Sequence, residues 1–265
     1  MSNFTLTNTV ELVTVAIRVK NRDKMIAFYR DCLGFVLKRE ENALAIMGTA
    51  DSSKEQLWLE ESPRATDHFG QVKKLQALTL HVATMAEFRA MYQRVQQEVA
   101  VEVFFAEDVL AFHFADPEEN HWIVEVEQPV EKIATMVAFL AEEADLTQPL
   151  LDEMYYKTIA VNSLDIAQQT AFLTDVLGLQ ATKQGHHFPQ HNWSVTTALT
   201  DSSVAALDSD EVIGLEILQF AISETDLKAL AAHLQEMNQA FYMDKKGSIL
   251  TVYDPAGIEW WFLRQ

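Results

Sequence analysis

The chain repeats itself. Residues 14–35, TVAIRVKNRDKMIAFYRDCLGF, return without a gap as residues 158–179, TIAVNSLDIAQQTAFLTDVLGL, at a constant offset of 144. A repeat of this length restricts the fold strongly, because each copy must form the same unit and bury a matching face. Both copies open on β-branched residues, Val13 to Val19 and Thr158 to Val161, which suit a strand. A polar step then offers a helix N-cap, Asn21 in the first copy and Asp165 in the second. Met25, Phe28, Tyr29, Cys32 and Leu33 follow the i, i+3, i+4, i+7, i+8 spacing of one packed helical face. Phe172, Leu173, Val176 and Leu177 repeat it, and Gly34 and Gly178 stand where a helix ends in the left-handed conformation. Three short strands are expected after the first helix, at Phe35 to Arg39, Ala43 to Met47 and Gln56 to Glu60.

A weaker echo begins at ALTLHVATMAEFRAMYQRV (77–95) and at EILQFAISETDLKALAAHL (216–234), again strand, polar cap and helix. Both copies end on a shared phrase, FHFADPEENHWIVEV (112–126) and LTVYDPAGIEWWF (250–262), in which Asp-Pro opens a turn between two strands. The chain therefore reads as four βαβββ modules in two pairs. Modules 10–62 and 74–127 make an N-terminal domain, 1–127, and modules 154–208 and 213–265 a C-terminal domain, 154–265. Between them, 128–153 carries Val130, Ile133, Ala134, Val137, Leu140 and Ala141 at helical spacing, the pattern of a docked amphipathic connector. The segments 62–71 and 185–192 read as polar, mobile loops.

Charge then narrows the partners. Twenty Lys and Arg face 39 Asp and Glu, a net charge of -19, and such a surface repels phosphate and anionic lipid. Neither nucleic acid nor a membrane is an expected partner. Cys32, the single cysteine, has no intramolecular partner, and the first residues lack a basic flank and an unbroken apolar run. A soluble, cytoplasmic protein is the expectation.

The local signatures of peptide hydrolysis are missing: there is no His-Glu-x-x-His, no Gly-x-Ser-x-Gly, and no Asp-Thr-Gly or Asp-Ser-Gly. Cys32 sits on the apolar stripe of its helix, so a buried, inert thiol is expected. His186, His187 and His191 form an H-H-x3-H loop without a nearby carboxylate, which reads as surface histidines and not as a metal site.

Paired βαβββ modules, the AFY-x-D-x-LGF helix end and the Asp-Pro strand turn resemble the vicinal oxygen chelate superfamily of glyoxalases, bleomycin-resistance proteins and extradiol dioxygenases. The resemblance implies an α+β fold of tandem glyoxalase-like domains, four modules paired into two cups. It also implies metal ligands at the start of the first strand and on the last strand of each module. Those positions hold Thr14, Thr158, Ala77 and Glu216 on first strands, and Ile123 and Trp261 on last strands, with Glu125 a displaced substitute. Hydroxyl, aliphatic and indole groups are poor donors to a divalent ion, so no metal and no other cofactor is expected.

ENALAI (41–46), EESPR (60–64) and DKKGSILTVYDPAGIEWWF (244–262) are similar to the CppA family of Gram-positive bacteria. That resemblance implies the family's description as proteinases that degrade complement C3, and so C3 as a partner. Strand parity within the cups suggests another role. Thr14, Arg18, Trp58, Glu60, Thr79, His81 and Glu125 are expected in cup one, and Thr158, Asn162, Glu216, Phe220 and Trp261 in cup two. Cup one would suit a small anionic or zwitterionic ligand. A metal-free small-ligand-binding protein is therefore the reading the residues favour, with a metal-dependent lyase, isomerase or dioxygenase using irregular ligands as the alternative. A homodimer is compatible with such modules.

Overall fold

The computed structural model of the chain describes residues 4–6, 10–106, 109–127, 138–188 and 192–265. Its elements follow the four modules. The first holds β1 (Glu11–Val19), α1 (Arg22–Phe28), β2 (Val36–Glu41), β3 (Leu44–Gly48) and β4 (Leu57–Glu61). The second holds β5 (Leu75–His81), α2 (Met85–Glu98), β6 (Val101–Ala106), β7 (Val109–Ala115) and β8 (His121–Glu127). The third holds β9 (Tyr155–Ser163), α3 (Ile166–Ala171), β10 (Gln180–Thr182), β11 (Gly185–His187) and β12 (Ser194–Leu199). The fourth holds β13 (Gly214–Ile222), α4 (Glu224–Glu236), β14 (Tyr242–Met243), β15 (Ile249–Tyr253) and β16 (Glu259–Arg264).

The local signals act as the sequence suggests. The Asn21 side chain accepts from Lys24 N at 2.9 Å and Asp165 from Gln168 N at 3.0 Å, each satisfying an N–H that the first helical turn leaves unpaired. Helix α1 and helix α3 each widen into one π turn, Tyr29–Leu33 and Phe172–Val176. Gly34 then closes the first helix at φ 84°, a conformation costly for any residue with a Cβ. The segment 185–192 is not wholly a loop, because Gly185–His187 pairs antiparallel with Gln180–Thr182. Of the expected connector, Val130, Ile133, Ala134 and Val137 lie outside the described residues, as does His191. The rest of that segment packs against α2: Arg89 pairs with Glu142 at 2.6 Å, and Leu151 N donates to Glu87 Oε1 at 2.7 Å.

The modules pair differently from their order in the chain. One eight-stranded sheet runs β14-β15-β16-β13-β1-β4-β3-β2 and joins the first module to the fourth. The other runs β10-β11-β12-β9-β5-β8-β7-β6 and joins the second to the third. At the centre of each, two first strands meet antiparallel, β1 with β13 and β5 with β9. The two cups therefore do not hold the expected residue sets. Thr14, Arg18, Trp58 and Glu60 share the first sheet with Glu216 and Trp261, whereas Thr79, His81 and Glu125 share the second with Thr158 and Asn162. A repeat identifies equivalent residues, but which edges pair is decided by long-range contacts.

A second correction comes from β-bulges. Ala16 pairs with Ile217 and Ile17 with Leu215, so Glu216 is an extra residue in β13. Gln76 is the matching extra residue in β5, between Leu75 opposite Val161 and Ala77 opposite Ala160. An extra residue reverses the parity beyond it. Phe220, counted from Glu216 as a cup residue, therefore lies on the opposite face, fully buried and stacked 5.3 Å from Trp260.

The helix-side faces merge into one apolar core that spans both sheets. Tyr29, beside α1, meets Trp122 of the second sheet at 5.5 Å, and Phe172, beside α3, meets Trp260 of the first at 6.1 Å. The Asp-Pro turns tie the same helices down. The Tyr29 hydroxyl donates to Asp116 at 2.5 Å, and the Gln169 amide donates to Asp254 at 2.8 Å. No helix among the described residues is long and apolar enough to cross a membrane.

Candidate ligand-binding site

The cup face of the first sheet follows from β1 and its neighbours. Val15, Ile17 and Val19 turn into the core, which sends Thr14, Ala16 and Arg18 the other way. Parallel pairing sets Trp58 beside Ala16 and Glu60 beside Arg18, and Trp261 beside Gln219. Thr14 Oγ1 is spent on Glu55 O at 2.5 Å. Trp58 and Trp261 meet edge to face with centroids 6.2 Å apart. Among the described residues of this face, Gln219 Oε1 and Glu216 Oε2 are the buried oxygens without a hydrogen-bond partner, Glu216 is already paired with Arg18, and two oxygens do not make a coordination sphere of three or four protein ligands. The residues at these positions do not fit the superfamily's metal.

The second sheet does not fit one either. Thr79 faces Thr158, whose Oγ1 lies 3.4 Å from Ser194 Oγ. Glu125 is committed to protein partners: its Oε1 stands 3.3 Å from His81 Nδ1 and takes the Lys157 ammonium as well. Burial raises the Glu125 pKa, but His81 and Lys157 outweigh it and hold the carboxyl below its ordinary value. Asn162 donates to Lys73 O at 2.8 Å. Among the described residues no group of three or more His, Cys, Asp or Glu is placed to hold a metal ion, the described histidines of the H-H-x3-H segment included.

One end of the first cup is built differently. Arg18 is 8% exposed and Glu216 5%, and they form an ion pair through Arg18 Nη2 and Glu216 Oε1. Arg18 Nη1 donates to Ser209 O. Arg18 Nε finds no acceptor, and Glu216 Oε2 receives no hydrogen bond. Burial, then the facing Glu60 carboxyl, raise the Glu216 pKa well above the carboxylate range, against the pull of Arg18. The bulge aims Glu216 at Arg18, and the sequence carries no sign of it.

These groups open onto a cavity of about 420 Å³ at the mouth of the sheet. Lys74, 5% exposed, joins the floor and donates to Ser209 Oγ at 3.1 Å. Strand parity alone missed Lys74, because it precedes β5 and arrives from the other sheet. The wall includes the fourth module's Asp-Pro turn. There Gly257 takes φ +79°, and a Cβ on it would stand 3.0 Å from Lys74 Nζ. The equivalent mouth of the second sheet, a cavity of about 500 Å³, has Asn162 and Gln76 where the first has Arg18 and Glu216. The charged pair is confined to one of the two.

Comparison with known proteins agrees with this architecture. The CppA protein of Streptococcus pneumoniae TIGR4 superposes with a TM-score of 0.70 at 18% identity, over 97% of this chain and 99% of that one. Glyoxalase I from Zea mays superposes with a TM-score of 0.57 at 11% identity, over 96% and 92%. No curated protein matches the sequence. Family models do match it, CppA N-terminal over residues 12–137 and CppA C-terminal over residues 151–262. Two successive matches that between them span most of the sequence place this chain in the CppA family.

Proposed function

We propose that the protein binds a small polar ligand in the cavity above Arg18 and Glu216, without metal chemistry. The observation that carries this reading is the incompletely bonded pair on the cavity floor. Leaving a buried guanidinium N–H and a carboxyl oxygen without partners costs about 1–3 kcal/mol each, and a ligand that supplies them recovers that cost on binding. A cavity of about 420 Å³ lies in the size range of small-molecule sites. A thermal-shift screen of polar metabolites on wild type and Arg18→Ala tests it. Compounds should raise the wild-type melting temperature and fail on the variant, and identical responses would remove the reading.

Cleavage of complement C3, which the family resemblance implies, needs a nucleophile or an activated water beside an oxyanion donor. Cys32 does not supply one: it is 2% exposed, and burial raises its pKa to about 12. If C3-cleaving activity in a preparation separates from the chain on a second column, it belongs to another protein.

A further inference from the structure

Charge is layered along the depth of this cavity. Its floor holds two buried cations, Arg18 and Lys74, which are near enough to act on each other. Burial lowers the Lys74 pKa, Asp254 and Asp208 oppose the change, and Arg18 adds to it. The Arg18 charge is shared with Glu216 and Ser209 O, but its Nε–H is free, and the Lys74 ammonium, bonded to Ser209 Oγ, keeps further N–H donors for a ligand. The rim has the opposite sign. Asp208 and Asp210 are exposed on the lining loop, and Glu259 is half-buried beside the exposed ring of Tyr253. Leu164, Ala205 and Pro255 add apolar lining.

We propose, resting on the binding reading above, that the ligand is an amino-carboxylate with its charges at opposite ends. Its carboxylate meets Arg18 Nε–H and the Lys74 ammonium, and its cationic amine meets the rim carboxylates and the Tyr253 ring. A carboxylate at the floor gains charge-assisted hydrogen bonds from two buried cations, where such bonds are stronger than in bulk water. An ammonium at the rim is attracted by three carboxylates and the face of Tyr253, and keeps part of its hydration. A ligand with only a carboxylate would face the rim's repulsion, and one with only an amine would leave the floor donors unpaired. The basic amino acids, ω-aminoalkanoates and dipeptides share this chemistry.

Calorimetry on the full chain distinguishes the outcomes. The probes are the twenty amino acids, ω-aminoalkanoates of three to six carbons and glycine-containing dipeptides, each beside its deaminated or N-acetylated form and its carboxamide. Neutral sugars and nucleosides serve as uncharged probes. At least one bifunctional probe should bind, and removing either charge should weaken it by about tenfold or more. Lys74→Met should weaken every carboxylate-bearing probe to a similar degree. Asp210→Asn, on the exposed rim, should cost the amine-bearing probes a few-fold and less at high salt. If a carboxylate-only or amine-only analogue binds as well as its bifunctional parent, the amino-carboxylate assignment is overturned and the cavity remains a binding site. The same holds if only uncharged probes bind. If no probe of any kind binds, the reading of the cavity falls and this assignment falls with it.

Discussion

Trp58 and Trp261 meet at 83° on the concave side of the first sheet, one from the last strand of the first module and one from the last strand of the fourth. Each indole N–H is directed to a carboxylate, Trp58 to Glu55 at 3.3 Å and Trp261 to Glu259 at 2.6 Å. Trp261 thus puts indole carbon, with Trp58 packed on it, where the superfamily resemblance implies a metal ligand. Dialysis against a chelator, and addition of manganese, nickel or zinc, should leave the melting temperature unchanged. A specific site held at a hundred times its dissociation constant would add about 2.7 kcal/mol, a rise of several degrees that thermal denaturation would reveal.

The Tyr29 and Asp116 pair predicts a stability effect far from the cavity. Asp116 is wholly buried and accepts from Tyr29, from the backbone of Glu118 and Asn120, and from the Asn120 amide. Tyr29→Phe removes one of these bonds and should cost about 1–2 kcal/mol. Asp116→Ala leaves several donors unpaired and should cost at least about 3 kcal/mol. Urea denaturation measures both, and an Asp116→Ala loss no larger than that of Tyr29→Phe would contradict the keystone role of this carboxyl.

Cys32 should be inert in the folded protein. A thiol pushed to about 12 has almost no thiolate at neutral pH, and its 2% exposure leaves no approach for a bulky reagent. Ellman's reagent should release no colour from the native chain and one equivalent after denaturation in guanidinium. Fast native labelling would mean that α1 opens locally.

The parts of the fold legible in the sequence are those set by neighbours in the chain. Asn21, Asp165, Gly34 and Gly178 announced the helix ends, and the expected strands 35–39, 43–47 and 56–60 lie within one residue or two of β2, β3 and β4. Thr14, Arg18, Trp58 and Glu60 alternate with core residues along β1 and β4, as strand parity requires. What failed was non-local. Partner choice between modules regrouped both cups, since β1 meets β13 and not β5. One inserted residue in β13 sent Phe220 to the core, and no residue type marks a bulge of this kind. Arg18 and Glu216 were expected in different cups, yet they pair across 198 residues of chain.

That partner gives the sharpest test. Arg18→Met leaves Glu216 buried without its cation, and breaking a buried pair from one side costs about 3–5 kcal/mol. The cost depends on pH in a direction the environment fixes. Burial and Glu60 raise the folded pKa of Glu216 above its unfolded value near 4.5, so its contribution is fully present below that value and is lost as pH rises through the folded pKa. Without Arg18 the carboxyl holds its proton more firmly. Arg18→Met should therefore cost more at pH 8.5 than at pH 5.5, because the wild-type carboxyl, helped by Arg18, begins to ionise in the folded state near pH 8 and the variant's does not. Replacing both residues, Arg18→Met with Glu216→Met, removes the charges together and should recover most of the loss at pH 8.5. Urea denaturation at the two pH values reads this directly. If Arg18→Met costs the same at both, Glu216 is not held protonated by its surroundings, and the bulge at β13 does no more than complete an ordinary ion pair.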